Sequence, residues 1–317
     1  VRAVVLVGGF GTRLRPLTLT TPKPMLPVAG RPMIERTIRL LAAHGVDEVV
    51  LSLGFASSAF TDAFPDDTCA GVRLVYAVEP SPLDTAGAVR FAATAAGISE
   101  RFIVANSDVM TDLDLSALLA FHETTGAEGT IALTPVDDPS QFGVVPTFED
   151  GRVSAFVEKP APGTEPTNLI NAGFYVLEPS VLGRVEPDVK VSIERVTFPA
   201  MVADGALYAL ADESYWIDVG TPERYLTANL DLLDEPDERG WVAVDAGIAP
   251  SAVVRDSVVL DGAVVGDGAV VERSILGPGA RVGAGASVTE VCVIGHEAVV
   301  PDGARLVGQR LPEPETS

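Results

Sequence analysis

The sequence predicts an α/β protein: a Rossmann-like, mainly parallel sheet with an added mixed-sheet layer, followed by a short left-handed parallel β-helix. Three patterns support this fold class. Apolar strands alternate with amphipathic helices over the first 125 residues or so. From about residue 130, strands follow one another without helices of similar length between them. After residue 258, apolar residues recur every six positions.

The strand and helix assignments rest on hydrophobic periodicity and on end signals. The continuous apolar run 3–7 is typical of a strand buried in a parallel sheet. In the first helix, Pro32 suits the first turn, Ile34, Ile38 and Leu41 share one face, and Gly45 suits the end. The predicted strands are 3–7, 48–53, 73–78, 102–105, 130–136, 143–145, 153–157 and 173–177, and the predicted helices are 31–45, 85–96, 115–124 and 223–233.

The β-helix is predicted from a hexapeptide repeat. One apolar residue per six should point inward on each flat face, giving three to four coils. Gly-x-Gly follows several of these positions, as in Gly266-Asp267-Gly268. We therefore expect a first domain over 1–233, a charged linker over 234–246, the β-helix over 247–310 and a disordered tail over 311–317. The repeat positions form two series with a spacing of six, and one residue is dropped between them: Val259, Val265 and Val271, then Leu276, Val282, Val288, Ile294, Val300 and Leu306.

Composition excludes several classes of function. With 22 basic and 44 acidic residues, the formal net charge is −22, so a nucleic-acid partner is not expected. No apolar run is long enough to span a membrane, and no signal-peptide pattern opens the sequence. The two cysteines fit a reducing compartment, so we expect a cytoplasmic protein.

Histidine-based acid–base or zinc chemistry has little support. The three histidines, His44, His122 and His296, lie in different segments. We expect each to be a helix-end or surface residue rather than a ligand.

The first strand runs into a glycine-rich turn that predicts a phosphate site. Gly8, Gly9 and Gly11 let backbone N–H groups approach an anion closely, and Arg13 adds a permanent forked charge. The spacing is not that of a P-loop, and Leu14 stands where a Rossmann fingerprint needs its third glycine. Further on, two prolines fix the backbone around Lys23 and so aim its ammonium group.

With this glycine turn, and with Lys23 between two prolines, the sequence resembles the sugar-1-phosphate nucleotidyltransferases, also called nucleotide-sugar pyrophosphorylases. The resemblance covers about residues 1 to 230, and several branches of the family carry a C-terminal hexapeptide domain. The motifs that carry it are Gly-Gly-x-Gly-Thr-Arg-Leu-x-Pro-Leu-Thr from Gly8, Pro22-Lys23-Pro24, Asp108, Phe142-Gly-Val-Val145, Glu158-Lys159-Pro160, Asn171-Ala-Gly-Phe-Tyr175 and Trp216-Ile-Asp-Val-Gly-Thr-Pro222.

The resemblance implies a reaction in which a sugar 1-phosphate attacks the α-phosphorus of an NTP and pyrophosphate leaves. It assigns catalytic roles on phosphates to Arg13, Lys23 and Lys159, and it makes Asp108 and Asp218 ligands of Mg²⁺. The nucleotide-binding residues it implies are Leu6, Gly8, Gly9, Gly11, Thr12, Arg13, Glu79, Thr85, Ala86 and Gly87. The sugar-binding residues it implies are Gly143, Glu158, Lys159, Asn171 and Trp216. A homo-oligomer formed through, or assisted by, the β-helix is also expected.

The branch using GTP and mannose 1-phosphate matches the opening segment best. The alternatives are an ATP- or dTTP-dependent enzyme acting on glucose 1-phosphate, an enzyme acting on a cyclitol phosphate, or a non-catalytic regulatory paralogue. Two positions depart from the common pattern, because Asp84 and Ser107 stand where glycine is usual. These departures leave the nucleotide specificity open.

Two other classes fit less well. A glycosyltransferase is suggested by the DxD at Asp112-Leu113-Asp114, but that class does not need the glycine turn. An acyltransferase on the β-helix commonly uses a histidine, and only His296 is available there.

Overall fold

The computed structural model describes residues 1–54, 57–235 and 237–313. The chain divides into two compact units. The first consists of Val1–Gly9 and Ile34–Trp216, and the second of Phe10–Met33 and Ile217–Ser317. In this division, the segment that follows the glycine turn groups with the C-terminal part of the chain.

The elements are numbered in chain order over the described residues. The helices α1 to α6 are Met33–Ala43, Ser57–Ala63, Asp84–Ala95, Leu115–Thr125, Phe198–Ala203 and Pro222–Asp231. The strands β1 to β14 are Arg2–Leu6, Pro27–Val28, Arg31–Pro32, Glu48–Leu53, Thr68–Cys69, Val72–Val78, Phe102–Asn106, Val109–Thr111, Gly129–Pro135, Gly143–Val144, Val157–Glu158, Leu169–Leu177, Leu207–Ala211 and Trp216–Asp218. Across these ranges, every helix is too short or too polar to cross a membrane.

The first unit is built on one mixed sheet with the strand order β11-β10-β12-β7-β1-β4-β6-β5, and β9 joins β12 to β13. Strand β1 pairs in parallel with both β4 and β7, which confirms the Rossmann-like core. Strand β12 pairs antiparallel with β7, so the added strands extend the same sheet rather than forming a separate layer. Val4, Val50 and Val104 are in register and fully buried, and Val89 and Ala92 of α3 belong to the same core. This packing fixes the carboxyl edge of the parallel strands.

Two sequence predictions in this unit were wrong or incomplete. The predicted strand 153–157 is a strand only at Val157–Glu158, and Val153 forms an isolated bridge with Thr147. The chain makes a tight turn here, with Gly151 at φ +81°. The helices α2 and α5 and the strand β13 were not predicted, because their short segments carry no clear apolar period.

His122 lies at the end of α4, as expected, but it is buried rather than on the surface. Its Nδ1 is 2.7 Å from Thr130 Oγ1 and its Nε2 is 3.2 Å from Glu178 Oε1. Burial lowers the pKa of His122, although Glu178 opposes this shift. The residue is therefore a satisfied core histidine and is not arranged as a general base.

The β-helix of the second unit has three sheets of parallel strands, as the hexapeptide repeat predicts. Val258 pairs with Ile275, and Ile275 with Val293, so one coil takes 17 or 18 residues. Of the nine repeat residues, eight are at most 2% exposed and Leu306 is partly buried. Its strands β15 to β27 are Gly240–Val242, Gly247–Ile248, Val253–Arg255, Ser257–Val259, Val264–Val265, Val270–Glu272, Ile275–Leu276, Arg281–Val282, Ser287–Thr289, Val293–Ile294, Val299–Val300, Arg305–Val307 and Arg310–Leu311.

The Gly-x-Gly motifs form the corners of the β-helix. A Cβ atom on Gly266 would lie 2.9 Å from the backbone N of Ala284 in the next coil, so the first glycine permits close stacking. The second glycine, Gly268, has a φ of +66°, which favours glycine. The last strand includes Leu311, one residue beyond the predicted end of the β-helix, and residues 314–317 of the predicted tail lie outside the described residues.

Candidate active site

In the first unit, the end of β1 presents an open backbone. Gly8 and Gly9 are exposed, a Cβ atom on either would have no neighbour within 4 Å, and Gly9 has a φ of +103°. Leu6, at the end of β1, is half-buried. Backbone N–H groups in such a glycine turn can approach an anion without hindrance from side chains.

Ser107 joins the ends of β1 and β7, and Asp108 follows it directly. The Ser107 side chain is buried and donates a 2.7 Å hydrogen bond to the carbonyl of Leu6, whose oxygen also accepts from the Ser107 N–H. The departure from glycine at this position is thus accommodated by a hydrogen bond between neighbouring strands. Asp108 is half-buried between β7 and β8, which gives its carboxylate a rigid support.

Asp84, the second departure, begins α3 with a φ of +60°. Its Oδ1 accepts a 2.8 Å hydrogen bond from the Thr85 N–H. Asp tolerates the left-handed conformation better than most residues, because its short side chain can hydrogen-bond locally. The conformation explains why glycine is usual here, and the carboxylate accepts a hydrogen bond from an N–H group of the first turn.

Three of the predicted nucleotide-binding residues also have structural partners of their own. Glu79 is buried and accepts hydrogen bonds from Ser52 Oγ and from the Leu83 N–H, both at 3.0 Å. The N–H groups of Ala86 and Gly87 both donate to the carbonyl of Val191. These contacts hold the loop before α3 and the start of that helix in place.

Glu194 is a candidate that the sequence analysis missed. Its Oε2 accepts 2.7 Å hydrogen bonds from Thr85 Oγ1 and from Ser192 Oγ. Thr85 Oγ1 in turn accepts from the Ile193 N–H at 2.8 Å. The pair Thr85–Glu194 joins two segments that are 109 residues apart, so no local pattern could have revealed it.

Gly143, Glu158 and Lys159 come together through the antiparallel pair β10–β11. A Cβ atom on Gly143 would lie 2.7 Å from a ring atom of Phe156 and 3.0 Å from Glu158 Oε2, so only glycine fits. Lys159 has a φ of +49°, and its Nζ lies 3.8 Å from Glu158 Oε1. A non-glycine residue in this conformation stores about 1–3 kcal/mol of strain, and such strain is concentrated at functional sites.

The Glu158 carboxyl group has a perturbed acidity. Burial raises its pKa, and the negative charge of Glu194 raises it further. Lys159 and Arg195 partly oppose this shift. A half-buried carboxylate of this kind suits hydrogen bonding to ligand hydroxyl groups.

The Asn171–Tyr175 motif forms a bulge in β12. Asn171 Oδ1 accepts from the Gly173 N–H, and its Nδ2 donates to the Tyr175 hydroxyl, both at 2.9 Å. The bulge presents the carbonyl of Ala172 to Trp216, whose Nε1 donates to it at 3.0 Å. The Trp216 indole also contacts the ring of Phe142 edge to face, with ring centroids 5.5 Å apart.

In the second unit, Gly11 organises the segment that carries two of the predicted catalytic residues. It has a φ of +58°, and a Cβ atom there would lie 2.9 Å from Thr18 and 3.1 Å from Lys23. Thr18 Oγ1 donates to the Gly11 carbonyl at 2.8 Å. This packing begins a 3₁₀ turn, Thr12–Leu14, in which Thr12 and Arg13 are exposed.

Arg13 and Asp218 converge at Gly220, just before α6. A Cβ atom on Gly220 would lie 2.8 Å from Arg13 Nη2 and 3.0 Å from Asp218 Oδ1. Asp218 Oδ2 also lies 3.4 Å from Arg224 Nη1. Thr221 caps α6 by accepting from the Arg224 N–H. Gly220 and Arg224 were not assigned roles from the sequence, although both lie in or beside the quoted Trp216–Pro222 motif.

The two predicted metal ligands have suitable donor chemistry. Asp108 is half-buried, and the Asp218 side chain is 20% exposed, so each carboxylate combines a fixed position with access to solvent. Among the described residues, no group of three or more His, Cys, Asp or Glu side chains is placed to hold a metal. Mg²⁺ needs no such cage, because it binds through one or two carboxylates together with substrate phosphates and water. The residues therefore fit Mg²⁺.

Two family models match the chain. Residues 2–235 match the model described as nucleotidyl transferase, and residues 238–313 match the model described as the GMPPB C-terminal domain. Nucleotidyltransferases of this family generally use a divalent metal ion.

Curated relatives and solved structures agree with these models. The mannose-1-phosphate guanylyltransferase of Mycobacterium tuberculosis is 40% identical over 97% of this chain and 79% of its own length. The catalytic subunit beta of the Dictyostelium discoideum enzyme is 43% identical over 71% of this chain, but the match spans only 63% of that relative. The crystal structure of HddC from Yersinia pseudotuberculosis complexed with GMP-PN is 29% identical, with a TM-score of 0.60, and covers 72% of this chain and 97% of that one. The chain belongs to the nucleotidyl transferase family.

Proposed function

We propose that this protein transfers a guanylyl group from GTP to mannose 1-phosphate, which yields GDP-mannose and pyrophosphate. The observation that carries this proposal is the 40% identity, over 97% of the chain, to a relative named mannose-1-phosphate guanylyltransferase. The geometry supports the reaction class, because an open glycine turn follows β1 and cationic side chains lie in the motifs that the family uses.

In the proposed reaction, a phosphate oxygen of mannose 1-phosphate attacks the α-phosphorus of GTP in line. The bond between the α-phosphorus and the oxygen bridging to the β-phosphorus breaks, and pyrophosphate leaves with that electron pair. A phosphate is already a competent nucleophile, so no side-chain base is needed. Positioning and charge neutralisation then supply most of the rate enhancement.

We assign the phosphate contacts to three cations. The exposed Arg13 guanidinium can bind two phosphate oxygens at once. Lys23 is held between two prolines and packs against Gly11. Lys159 is 61% exposed on a strained backbone, so its ammonium group can reach a ligand.

The remaining assignments follow from the same reaction. Gly8, Gly9, Gly11 and Thr12 offer backbone groups to the triphosphate, and Leu6, Glu79, Thr85, Ala86 and Gly87 form the walls and supports of the base pocket. The mannose hydroxyl groups contact Gly143, Glu158 and Asn171, and Trp216 closes that side. Glu194 joins this set, because its charge acts on Glu158 and its carboxylate holds Thr85.

The metal in this proposal is Mg²⁺, held by Asp108 and Asp218. When bound, it neutralises phosphate charge as pyrophosphate leaves. Arg224, 3.4 Å from Asp218, orients that carboxylate.

Two broader properties belong to the same proposal. The β-helix assists assembly into a homo-oligomer, because its flat faces carry exposed Val253 and Val299. A cytoplasmic location fits the two buried cysteines, Cys69 and Cys292, which are both free thiols.

The experiment that tests the proposal is a pyrophosphate-release panel. It crosses GTP, ATP, dTTP, UTP and CTP with mannose 1-phosphate, glucose 1-phosphate and a cyclitol phosphate. The proposal expects the highest kcat/KM for GTP with mannose 1-phosphate. A higher value for ATP or dTTP with glucose 1-phosphate would favour the alternative nucleotidyltransferase, and inactivity with every pair would indicate a regulatory paralogue.

A further inference from the structure

The last coils of the β-helix contact the segment that carries Arg13. Gly295, which follows β24, lies so close to Pro16 that an added Cβ atom would be 2.9 Å from the proline Cβ and Cγ atoms. Arg310 in β27 donates a 3.2 Å hydrogen bond from Nη1 to the carbonyl of Arg15. Both contacts fall within three residues of Arg13, and all of these residues belong to the second unit.

The contacted segment is tied internally to the predicted catalytic side chains. The carbonyl of Pro16 accepts from the Leu19 N–H, and Thr18 Oγ1 donates to the Gly11 carbonyl. Gly11 packs against both Thr18 and Lys23. A displacement of Pro16 would therefore also move Arg13 and Lys23, because this short segment is held together by hydrogen bonds.

The β-helix offers a rigid base for these contacts. Val282, Val288, Ile294 and Val300 are at most 2% exposed, and interiors packed in this way resist deformation. At the corner above Gly295, a Cβ atom on Gly277 would lie 2.9 Å from the Gly295 backbone, so the coils stack without free space. Gly295 has no side chain that could bind a phosphate, and the half-buried Arg310 donates to the backbone of Arg15. We therefore assign neither residue a direct contact with the substrates.

We propose that Gly295 and Arg310 are positioning residues for nucleotidyl transfer, and that the end of the β-helix holds the Arg13 segment in its reactive conformation. This inference rests on the proposed function. It gives the β-helix a direct part in turnover within one chain, apart from any part in assembly. A misplacement of about 1 Å can lower a rate by about 100-fold, so small shifts of this segment should be visible in kcat.

Two pairs of full-length variants test the proposal. Gly295→Ala pushes a methyl group against Pro16 and to 3.2 Å from the Leu311 carbonyl oxygen, and the Gly295 backbone itself has no positive φ that would exclude alanine. Gly247→Ala is its matched control, because that Cβ atom would meet only Val264, at an ordinary 3.7 Å. Arg310→Ala removes the hydrogen bond to Arg15, and Arg310→Lys keeps a cationic donor and should rescue it.

Steady-state kinetics, thermal melts and hydrogen exchange of residues 11–19 are measured for each variant. We expect Gly295→Ala and Arg310→Ala to lower kcat by about 10-fold or more, with similar KM values and faster exchange in residues 11–19. The melting temperature should fall at most modestly, so that both variants stay folded at the assay temperature. Gly247→Ala should match the wild type, and Arg310→Lys should recover most of the lost kcat.

The proposal is overturned if both variants keep the wild-type kcat, or if exchange rises in residues 11–19 while kcat does not change. It is also overturned if Gly247→Ala loses as much activity as Gly295→Ala. A wild-type protein that makes no GDP-mannose contradicts the proposed function instead. In that case the kcat comparison is made with whichever substrate pair the release panel identifies.

Discussion

Arg13 and Asp218 lie against the same backbone position, Gly220, although they are far apart in the sequence. A Cβ atom added to Gly220 would lie 2.8 Å from Arg13 Nη2 and 3.0 Å from Asp218 Oδ1. A predicted triphosphate ligand and a predicted metal ligand thus lie beside the same glycine. A methyl group at this position would therefore crowd both the guanidinium of Arg13 and the carboxylate of Asp218.

Gly220→Ala should reduce activity with little loss of stability. The added methyl group displaces the far end of the Arg13 side chain, which is flexible and exposed, so folding should tolerate it. The displaced guanidinium would lose its alignment, and we expect kcat to fall by about 10- to 100-fold. Kinetics beside a thermal melt would check this. A variant with normal kcat would show that the spacing at Gly220 is not functional.

Arg13→Ala should lower kcat far more than it lowers stability. Loss of an electrostatic stabiliser of the transition state costs about 3–4 kcal/mol. Arg13→Lys keeps the charge but loses the two-pronged hydrogen bonding of the guanidinium. Its kcat should therefore lie between those of the wild type and the alanine variant. Arg239→Ala, at an exposed arginine in the linker, is the control. A sharp drop in melting temperature with kcat intact would instead make Arg13 a structural residue.

Asp108→Asn and Asp218→Asn should each reduce turnover by roughly 100-fold or more at saturating Mg²⁺. Asparagine keeps the shape but loses the charge that a hard cation prefers. Asp114→Asn is a matched control that also tests the DxD hypothesis. Its Oδ1 caps α4 by accepting from the Ala117 N–H, and asparagine caps equally well. Activity lost at Asp114 but kept at Asp108 would support the glycosyltransferase interpretation.

Glu158→Gln should stabilise the fold and impair the enzyme. Burial, then the charge of Glu194, raises the folded-state pKa of Glu158 above its usual value. The folded state therefore binds this proton more tightly than the unfolded state does. Protonated Glu158 therefore stabilises the fold at a pH below its usual pKa. This stabilisation is lost as the pH rises through the raised folded-state pKa.

At pH 7.5 the glutamine variant should therefore melt at a temperature equal to or higher than the wild type, and the difference should vanish in acid. Its kcat/KM for the sugar phosphate should fall, because an amide is a weaker acceptor for hydroxyl groups. Glu149→Gln, an exposed position in the preceding segment, should change neither property. A glutamine variant that is less stable at pH 7.5 but fully active would contradict the sugar-binding role.

The sequence predicted the parts of this protein that have a period or a named motif. Apolar runs and the helical period of 3.6 predicted most of the first unit, and the period of six predicted the β-helix core. The short helix Phe198–Ala203 has too few residues to show a period, so it was missed. Sequence motifs pointed to Asp218 and Glu158. The close approach of Arg13 to Gly220 and of Pro16 to Gly295 brings together segments that are distant in sequence, and each approach is possible because glycine has no side chain. In the sequence such a contact shows only as a glycine, so its partner could not be predicted.

The fate of the phosphates of GTP is the most direct test of the account. The wild-type protein is incubated with mannose 1-phosphate and Mg²⁺ and with GTP carrying ³²P at either the α or the γ position. Attack at the α-phosphorus predicts that the α label appears in GDP-mannose and the γ label in pyrophosphate, both only when mannose 1-phosphate is present. Release of the γ label as orthophosphate, or of the α label as GMP with no sugar nucleotide, would contradict guanylyl transfer by this protein.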